Sequence, residues 1–306
     1  MRPPADPILI RFTENWGIHW YGVLIVAGVL LGALYAAWRA KQDGDDPDHV
    51  WNALTIAIIL GIVGARLYHV FSEPEGGMVG WSYYRTHPIE ILYIWQGGLG
   101  IYGAIVGGLL GVAIYTWQAG LPTLKWLDYG IPGLALGQAI GRWGNFFNQE
   151  LYGPPTDLPW GLRIAPEHRI IPYNNLELYP PDTLFHPTFL YESLWVLLLF
   201  VVLAVVAHKY KDRIKRGDIV LGYLVGYPLG RFFLEYLRPD AWMIGPIAAA
   251  QLFAVICIVA AGATLVIRHT VAKSSPPNGE VEEPAPSDPG ADASIEGAEA
   301  QGEAQS

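Results

Sequence analysis

The chain has 306 residues, of which 52% are hydrophobic and only 15% are charged. Average soluble domains carry about 25% charged residues, so the composition excludes an ordinary water-soluble domain and favours long membrane-spanning segments. A single cysteine, Cys257, excludes an internal disulfide and any zinc site built on several cysteines.

The net charge of −9 comes almost entirely from the C-terminal end. Residues 274–306 hold eight of the 28 acidic residues and no basic residue, which leaves 20 acidic and 19 basic residues before them. This end is rich in Pro, Gly, Ala, Ser and Glu, and such a composition cannot bury enough apolar surface to fold. We therefore predict a membrane domain over 1–269 and a disordered acidic tail over 270–306, with a docking role for the tail as the less favoured alternative.

Seven stretches of mostly apolar residues are long enough to cross a bilayer, which takes about 20 residues. The fourth stretch is short and is broken by Pro132, and the sixth carries Arg231 and Glu235, which lower its hydropathy. The predicted fold class is an all-α integral membrane protein with seven transmembrane helices. The predicted spans are 18–38, 51–71, 93–117, 124–140, 188–207, 217–237 and 243–267.

Basic residues in the connecting segments predict the orientation, because Lys and Arg collect in short loops on the cytoplasmic side. With seven spans and an external N-terminus, all of these residues fall on one side: Arg39, Lys41, Lys125, Lys209, Lys211, Arg213, Lys215, Arg216, Arg268 and Lys273. The predicted N-terminus is therefore external and the tail is cytoplasmic. The segment 145–187 is too long for a simple connector, and we predict that it forms a small external cap.

Glycines recur every four residues in the third span, at Gly103, Gly107 and Gly111. Small residues at this spacing allow two helix backbones to approach closely in lipid. The pattern predicts helix packing and indicates no chemistry.

Polar residues near the membrane boundary fall at one depth in this topology. Each is costly in apolar surroundings, so each is expected to be paired or functional. A scatter of structural ion pairs would not favour one leaflet, so the pattern predicts a site near the external leaflet. The residues concerned are His19, Tyr21, Arg66, Gln96, Tyr102, Arg142, Asn145, Glu150, His186, Tyr191, Glu192, Arg231, Glu235 and Arg238.

Three arginines of this set, Arg66, Arg142 and Arg231, indicate an anionic ligand. Guanidinium is always charged, and its planar fork fits phosphate. The abundant anion at the outer boundary is a phospholipid headgroup. For Arg231 a structural salt bridge with Glu235, four residues along the same helix face, is an equally good interpretation. That interpretation weakens for the set, because two acids cannot neutralise all three arginines and still leave Glu150 on its loop.

Simpler interpretations also stand beside the functional ones for three of the other residues. His19 is equally well an interfacial histidine beside Trp20. Tyr21 and Tyr227 are aromatics of the kind that anchor many proteins at the membrane interface.

The run from Gly141 to Gly153 reads Gly-Arg-Trp-Gly-Asn-Phe-Phe-Asn-Gln-Glu-Leu-Tyr-Gly. It resembles the defining motif of the bacterial prolipoprotein diacylglyceryl transferases. Four other runs resemble motifs of that family, and the resemblance extends to about His269. These runs are 18–22 (Ile-His-Trp-Tyr-Gly), 64–68 (Gly-Ala-Arg-Leu-Tyr), 186–192 (His-Pro-Thr-Phe-Leu-Tyr-Glu) and 227–235 (Tyr-Pro-Leu-Gly-Arg-Phe-Phe-Leu-Glu).

The resemblance implies a multi-pass enzyme of the bacterial plasma (inner) membrane. Such an enzyme transfers the diacylglyceryl group of phosphatidylglycerol to the thiol of the lipobox cysteine in a prolipoprotein signal peptide. A thioether forms and glycerol phosphate leaves, in the first step of lipoprotein maturation. The implied partners are phosphatidylglycerol, the prolipoprotein and membrane lipid, with no nucleic acid, cofactor or metal.

The chain departs from the family pattern at Tyr102. Many members carry His-Gly-Gly in the third span, whereas Tyr102-Gly103-Ala104 stands at the equivalent place here. Tyrosine is a poor base at neutral pH because its hydroxyl ionises only near pH 10. We therefore predict a binding role for Tyr102, and the general base stays unassigned.

The resemblance and the charges together predict two overlapping sets of site residues. In the first set, the arginines hold the phosphate, Glu235 fixes Arg231, and Glu150 orients its loop or accepts the thiol proton. The predicted catalytic residues are Arg142, Arg231, Glu150 and Glu235. The predicted phosphatidylglycerol-binding residues are Arg142, Asn145, Tyr21, Arg231, Tyr227, Tyr102, Arg66 and His19.

The main alternative function is a transporter or flippase for an anionic lipid. Transport sites tend to lie near the bilayer midplane between inverted repeats, and the sequence shows no such repeat. A lipid phosphotransferase would need an acidic metal-ligand cluster in the spans, and a pure scaffold would leave the motif of residues 141–153 unexplained. The transferase interpretation is the one that we favour.

Overall fold

The computed structural model describes residues 1–4, 6–13, 16–72, 80–239 and 241–274. Met1–Leu265 forms one compact unit, which is the part of the chain considered below. The α-helices are α1 (Trp20–Gln42), α2 (Asp48–Phe71), α3 (Trp81–Tyr84), α4 (Ile101–Gln118), α5 (Thr123–Asn148), α6 (Thr188–Lys209), α7 (Asp218–Leu234) and α8 (Ala249–Ser274). Three short antiparallel pairs accompany them: β1 (Ile8–Thr13) with β2 (Trp16–His19), β3 (Leu162–Arg163) with β4 (Leu184–Phe185), and β5 (Met243–Ile244) with β6 (Ile247–Ala248).

Five of the described helices, α1, α2, α4, α6 and α8, are long and apolar enough to cross a membrane. The chain is therefore a mostly helical integral membrane protein. Helices α5 and α7 lie where the fourth and sixth spans were predicted. The count of seven spans and the orientation stay predictions.

Two predicted spans begin later than the sequence suggests. Residues 88–96 form two 3-10 turns, and Gly97 and Gly98 follow with φ of 90° and 72°, so α4 starts only at Ile101. The hairpin of β5 and β6 turns at Gly245, with φ of 61°, and delays α8 to Ala249. Positive φ suits glycine and interrupts a right-handed helix, which apolar composition does not reveal.

The ends of two other predicted segments also move. Helix α5 was predicted to end at residue 140 but runs to Asn148, so Arg142 and Asn145 lie on a helix and the predicted cap begins too early. The helix ends where Gln149 adopts a left-handed conformation with φ of 56°. Helix α8 continues to Ser274, past the predicted tail boundary at 270, and residues 275–306 of that tail lie outside the described residues.

The prediction that the glycines of the third span serve packing is confirmed. A Cβ at Gly103, Gly107 or Gly111 would overlap the main chain of α2. Helices α1 and α5 meet in the same way, since a Cβ at Gly28 would lie 2.8 Å from the carbonyl oxygen of Gly137. Helix α5 also packs against α6 and α7, and this places the motif of residues 141–153 among three helices.

The segment between α5 and α6 has an apolar cluster of its own around the β3–β4 pair. Its buried members are Tyr152, Leu162, Ile164, Tyr173, Phe185 and Phe189. Buried Arg169 donates hydrogen bonds to the carbonyl oxygens of Ile164, Tyr179, Pro180 and Pro181 and so ties the segment together. The position of this segment outside the membrane stays a prediction.

A matched pair of substitutions on α5 tests the close approach of α1 and α5. Gly133→Ala should destabilise the protein by about 1–3 kcal/mol, because its methyl group would overlap main-chain atoms of Gly32. Gly130→Ala meets open space on the same helix and should be neutral or slightly stabilising. Melting temperatures of the purified variants in detergent compare the two, and equal values would contradict the proposed contact.

Candidate active site

A carboxylate in the first turns of α6 joins arginines from two neighbouring helices. Glu192 Oε2 lies 2.5 Å from Arg142 Nε on α5, and Glu192 Oε1 lies 2.5 Å from Arg231 Nη1 on α7. The Glu192 side chain is 11% exposed, so both contacts are shielded from water. One acidic side chain therefore ties together α5, α6 and α7.

Arg231 is engaged at both of its terminal nitrogens. Besides the contact with Glu192, its Nη2 lies 2.6 Å from Glu235 Oε2, in the 3-10 turn (Glu235–Leu237) that follows α7. Glu235 is buried, and the Arg231 side chain is 18% exposed. The predicted pairing of Arg231 with Glu235 is thus present, and the charges of Arg142, Arg231, Glu192 and Glu235 sum to zero.

Arg142 differs from Arg231 in that its terminal nitrogens remain available for a ligand. Its ion pair with Glu192 uses Nε, and within the described residues no hydrogen bond engages its two terminal nitrogens. Its side chain is 26% exposed, the largest exposure among the four charged groups. The terminal N–H groups of Arg142 therefore form a fork that an incoming anion can reach.

Sequence reasoning grouped Glu192 with the other boundary polar residues but gave it no role in the site. The structure shows that it contacts both Arg142 and Arg231. The sequence did carry a signal for Glu192, because this residue is the last of the 186–192 run that resembles a motif of the family. Only the helix packing reveals that this carboxylate faces both arginines.

Asn145 and Glu150 form a second set of contacts at the end of α5. Asn145 lies one turn beyond Arg142, on the same helix face. Its amide Nδ2 donates to Glu150 Oε1 at 2.9 Å, and Asn148 Nδ2 donates to the same oxygen at 3.1 Å. Glu150 is exposed, so its carboxylate is held in place while it remains accessible.

Two predicted tyrosines lie on or against the helices that carry the charged cluster. The ring of Tyr21, on the first turn of α1, packs against Gly144 of α5, where a Cβ would lie 3.0 Å from ring atom Cε2. Tyr227 on α7 stacks on Tyr223 with ring centroids 5.4 Å apart. Tyr227 also lines a cavity together with Glu192, Trp195, Val196, Arg231 and Leu234.

That cavity is small, with a volume of about 10 Å³. A volume of this size holds about one water molecule and no lipid headgroup. The side of the cluster that a larger anion can reach is therefore the exposed face of Arg142.

Two other predicted residues, Tyr102 and His19, lie on elements that do not carry the charged cluster. Tyr102 is exposed on the first turn of α4, and its ring lies 5.6 Å from that of Tyr68 on α2. His19 is exposed on β2, opposite Ile8 of β1. Within the described residues neither side chain forms a hydrogen bond or ion pair with the Arg142–Glu192–Arg231 cluster.

Arg66, on α2, is held by main-chain carbonyl groups. Nε donates to Ile91, Nη1 to Gly97 and Gly98, and Nη2 to Glu90, so four of its five N–H groups have acceptors. Its guanidinium also lies 5.2 Å from the centre of the Tyr84 ring. The residue is buried and holds the 88–98 segment against α2, and its predicted contact with a headgroup stays a prediction.

The described residues show no group of three or more His, Cys, Asp or Glu side chains that could hold a metal ion.

Comparisons with known proteins agree with the motif. Residues 7–267 match the family model of prolipoprotein diacylglyceryl transferase. The phosphatidylglycerol–prolipoprotein diacylglyceryl transferase of Chloroflexus aggregans is 45% identical over 286 residues, which cover 87% of this chain and 91% of that protein. Proteins of the same name from Synechococcus elongatus and Limosilactobacillus reuteri are 40% and 39% identical, over 85% and 82% of this chain and 86% and 87% of their own lengths.

Removal of the bridging carboxylate should have a large effect on stability. Glu192→Ala leaves Arg142 and Arg231 without a shared partner in a poorly solvated site, and breaking a buried ion pair costs about 3–5 kcal/mol. We expect a marked fall in melting temperature in detergent. Glu167→Ala removes an exposed carboxylate and should leave the melting temperature unchanged, and equal stability of the two variants would refute the bridging role.

The role of Arg66 can be tested by hydrogen–deuterium exchange. Arg66→Lys keeps the charge but loses the planar fork, so the backbone amides of residues 90–100 should exchange faster. Arg85→Lys changes an exposed arginine close by and serves as the control. Unchanged exchange in Arg66→Lys would show that the carbonyl contacts do not hold this segment.

Proposed function

The chain belongs to the prolipoprotein diacylglyceryl transferase family, and from that membership we propose how its residues carry out the reaction. It is a transferase that moves a diacylglyceryl group from phosphatidylglycerol to a prolipoprotein in lipoprotein maturation. The family match confirms the resemblance read from residues 141–153, and the flippase alternative is not favoured. The observation that carries the proposal is the open fork of Arg142 beside Glu192.

Arg142 binds the phosphate of phosphatidylglycerol through its two terminal nitrogens. A guanidinium presents parallel N–H groups that suit two phosphate oxygens at once, and such charge-assisted bonds are about twice as strong as neutral ones. Glu192, bound at Nε, fixes the plane of the guanidinium before the lipid arrives. The fork is therefore preorganised, which reduces the entropy lost on binding.

Arg231 contributes mainly by holding Glu192 in place. Its terminal nitrogens contact Glu192 and Glu235, and the cavity beside it is too small for a headgroup. The sequence assigned the phosphate to both arginines, whereas we propose direct contact for Arg142 and support from Arg231 through Glu192. Tyr227 lines the cavity beside Arg231, Tyr21 packs against Gly144, and Asn145 lies one turn beyond Arg142. We propose that these three residues supply hydrogen bonds to the glycerol headgroup.

The reaction forms one bond and breaks one bond. The sulfur of the lipobox cysteine attacks the diacylglyceryl carbon that carries the phosphate, a C–S bond forms, and the C–O bond breaks. The electron pair stays on the phosphate oxygen, so the departing glycerol phosphate gains one negative charge. Arg142 faces that developing charge and stabilises the transition state more than the bound lipid.

The reaction requires one proton transfer at the site, the removal of the thiol proton. The second ionisation of a phosphate monoester lies near pH 6, so glycerol phosphate leaves at neutral pH without a general acid. The thiol ionises near pH 8.5 and must lose its proton. We propose that Glu150, held by two asparagines and exposed at the end of α5, orients the loop or accepts this proton.

The position of the cluster along α6 supports the proposed orientation. Glu192 lies near the start of this helix and Lys209 at its end, a separation of about 25 Å at 1.5 Å per residue. Basic residues follow Lys209 at 211, 213, 215 and 216, and such residues mark the cytoplasmic side. We propose seven spans in the bacterial inner membrane, with the N-terminus and the active site external and the segment 145–187 as a cap.

Substitutions of Arg142 test the phosphate contact. Arg142→Ala should lower the transfer rate about 100- to 1,000-fold, because it removes the preorganised fork, and Arg142→Lys should restore only part of the rate. Arg213→Ala, an exposed arginine in a connecting segment, should retain the rate of the unaltered protein. Transfer is read by mass spectrometry as one diacylglyceryl unit gained by a lipobox peptide in detergent with phosphatidylglycerol.

A peptide with serine in place of the lipobox cysteine should gain no mass, which checks that the thiol is the acceptor. Equal turnover by Arg142→Ala and Arg213→Ala would refute the proposed role of Arg142.

A further inference from the structure

An open groove of about 530 Å³ lies between α1 and α6, away from the active site. Its walls are Tyr35 and Trp38 of α1 and four residues of the last turns of α6: Ala204, Val205, His208 and Lys209. The ring of Phe200 lies 5.2 Å from that of Tyr35 in an edge-on arrangement. The groove is therefore aromatic and aliphatic along its length and basic at its rim.

The groove lies at the opposite end of α6 from Glu192. Sixteen residues separate Glu192 from His208, which corresponds to about 24 Å along the helix. Because α6 is long and apolar enough to cross a membrane, its two ends contact different leaflets. An occupant of this groove is consequently distinct from the lipid that reacts beside Arg142.

The rim carries positive charge with little to offset it. Lys209 contacts the Tyr210 ring at 6.0 Å and forms no ion pair within the described residues. His208 and Lys209 are both exposed, and the nearest basic segment follows directly at 211–216. Asp43, near the end of α1, is engaged by Arg39 and Tyr129, and Asp212 is the single acid within the segment 211–216. The rim thus favours an anion at the level of the lipid headgroups.

Tyr35 lines the groove, but its hydroxyl is buried and inaccessible to an occupant, and it has no hydrogen-bond partner among the described residues. The polar groups that an occupant of the groove meets are therefore those of His208 and Lys209 at the rim.

From the shape and charge of this groove, we propose that it binds one anionic phospholipid of the leaflet opposite the active site. An acyl chain lies along Trp38, Ala204 and Val205, and the phosphate contacts Lys209 and His208. The bound lipid fills the gap between α1 and α6, which no side chain of the described residues fills.

Native mass spectrometry of the full chain in detergent tests this site. The probes are phosphatidylserine, an anionic lipid without the glycerol headgroup of the substrate, and phosphatidylcholine at the same concentration. The unaltered protein should retain one phosphatidylserine and little phosphatidylcholine. In His208→Ala/Lys209→Ala the apparent affinity for phosphatidylserine should fall at least about fivefold, since one lysine near an anionic lipid contributes about that factor.

Three further variants make the outcome specific. Tyr35→Phe removes only the buried hydroxyl, and Lys211→Ala changes a basic residue outside the groove, so neither should weaken retention of phosphatidylserine. Arg142→Ala should lose transfer and keep this lipid, which separates the groove from the active site. Equal retention by the unaltered protein and the double variant, or equal retention of phosphatidylcholine, would overturn the proposal. Equal losses in Lys211→Ala and the double variant would overturn it as well.

Discussion

The buried contact of Glu192 with Arg142 and Arg231 is the interaction on which the active site depends. Charges in a poorly solvated site must be paired, because each would otherwise bear a large desolvation cost. Pairing through one shared carboxylate fixes three helices relative to one another. It also decides which donors remain open, since Arg231 is used at both terminal nitrogens and Arg142 only at Nε. The N–H groups that can bind an anion are therefore those of Arg142 that the ion pairs leave unused in the described residues.

The scaffold around this contact is built by close backbone approach. Glycines bring α1 against α5 and α2 against α4, at distances that any side chain would prevent. The first of these contacts places Tyr21 beside Gly144 and hence beside the motif. In lipid, where apolar side chains gain little by leaving their surroundings, such packing and the polar contacts supply much of the specificity between helices. Arg66 performs a comparable task with hydrogen bonds, because its guanidinium holds the 88–98 segment to α2.

Hydropathy and the 141–153 motif were sufficient to predict a helical membrane transferase and the family to which it belongs. They were also sufficient to single out Arg142, Arg231 and Glu235, which the structure brings together. They could not show that Glu192 is the shared partner, because that depends on which faces of α5, α6 and α7 meet. Nor could composition reveal the turns at Gly97 and Gly245, where backbone conformation rather than polarity delays the start of the apolar helix. Arg66 was grouped with the other arginines by depth, and only its contacts show that its donors face carbonyl groups.

The most direct test of the account is a structure of the full chain with phosphatidylglycerol bound. We expect two phosphate oxygens within about 2.7–2.9 Å of Arg142 Nη1 and Nη2, while Glu192 keeps its contacts with Arg142 Nε and Arg231. A phosphate bound at Arg66, or at Arg231 with Arg142 turned away, would contradict the account. Displacement of Glu192 by the phosphate would also contradict it. The carboxylate is proposed to orient the guanidinium of Arg142, not to occupy the position at which the phosphate binds.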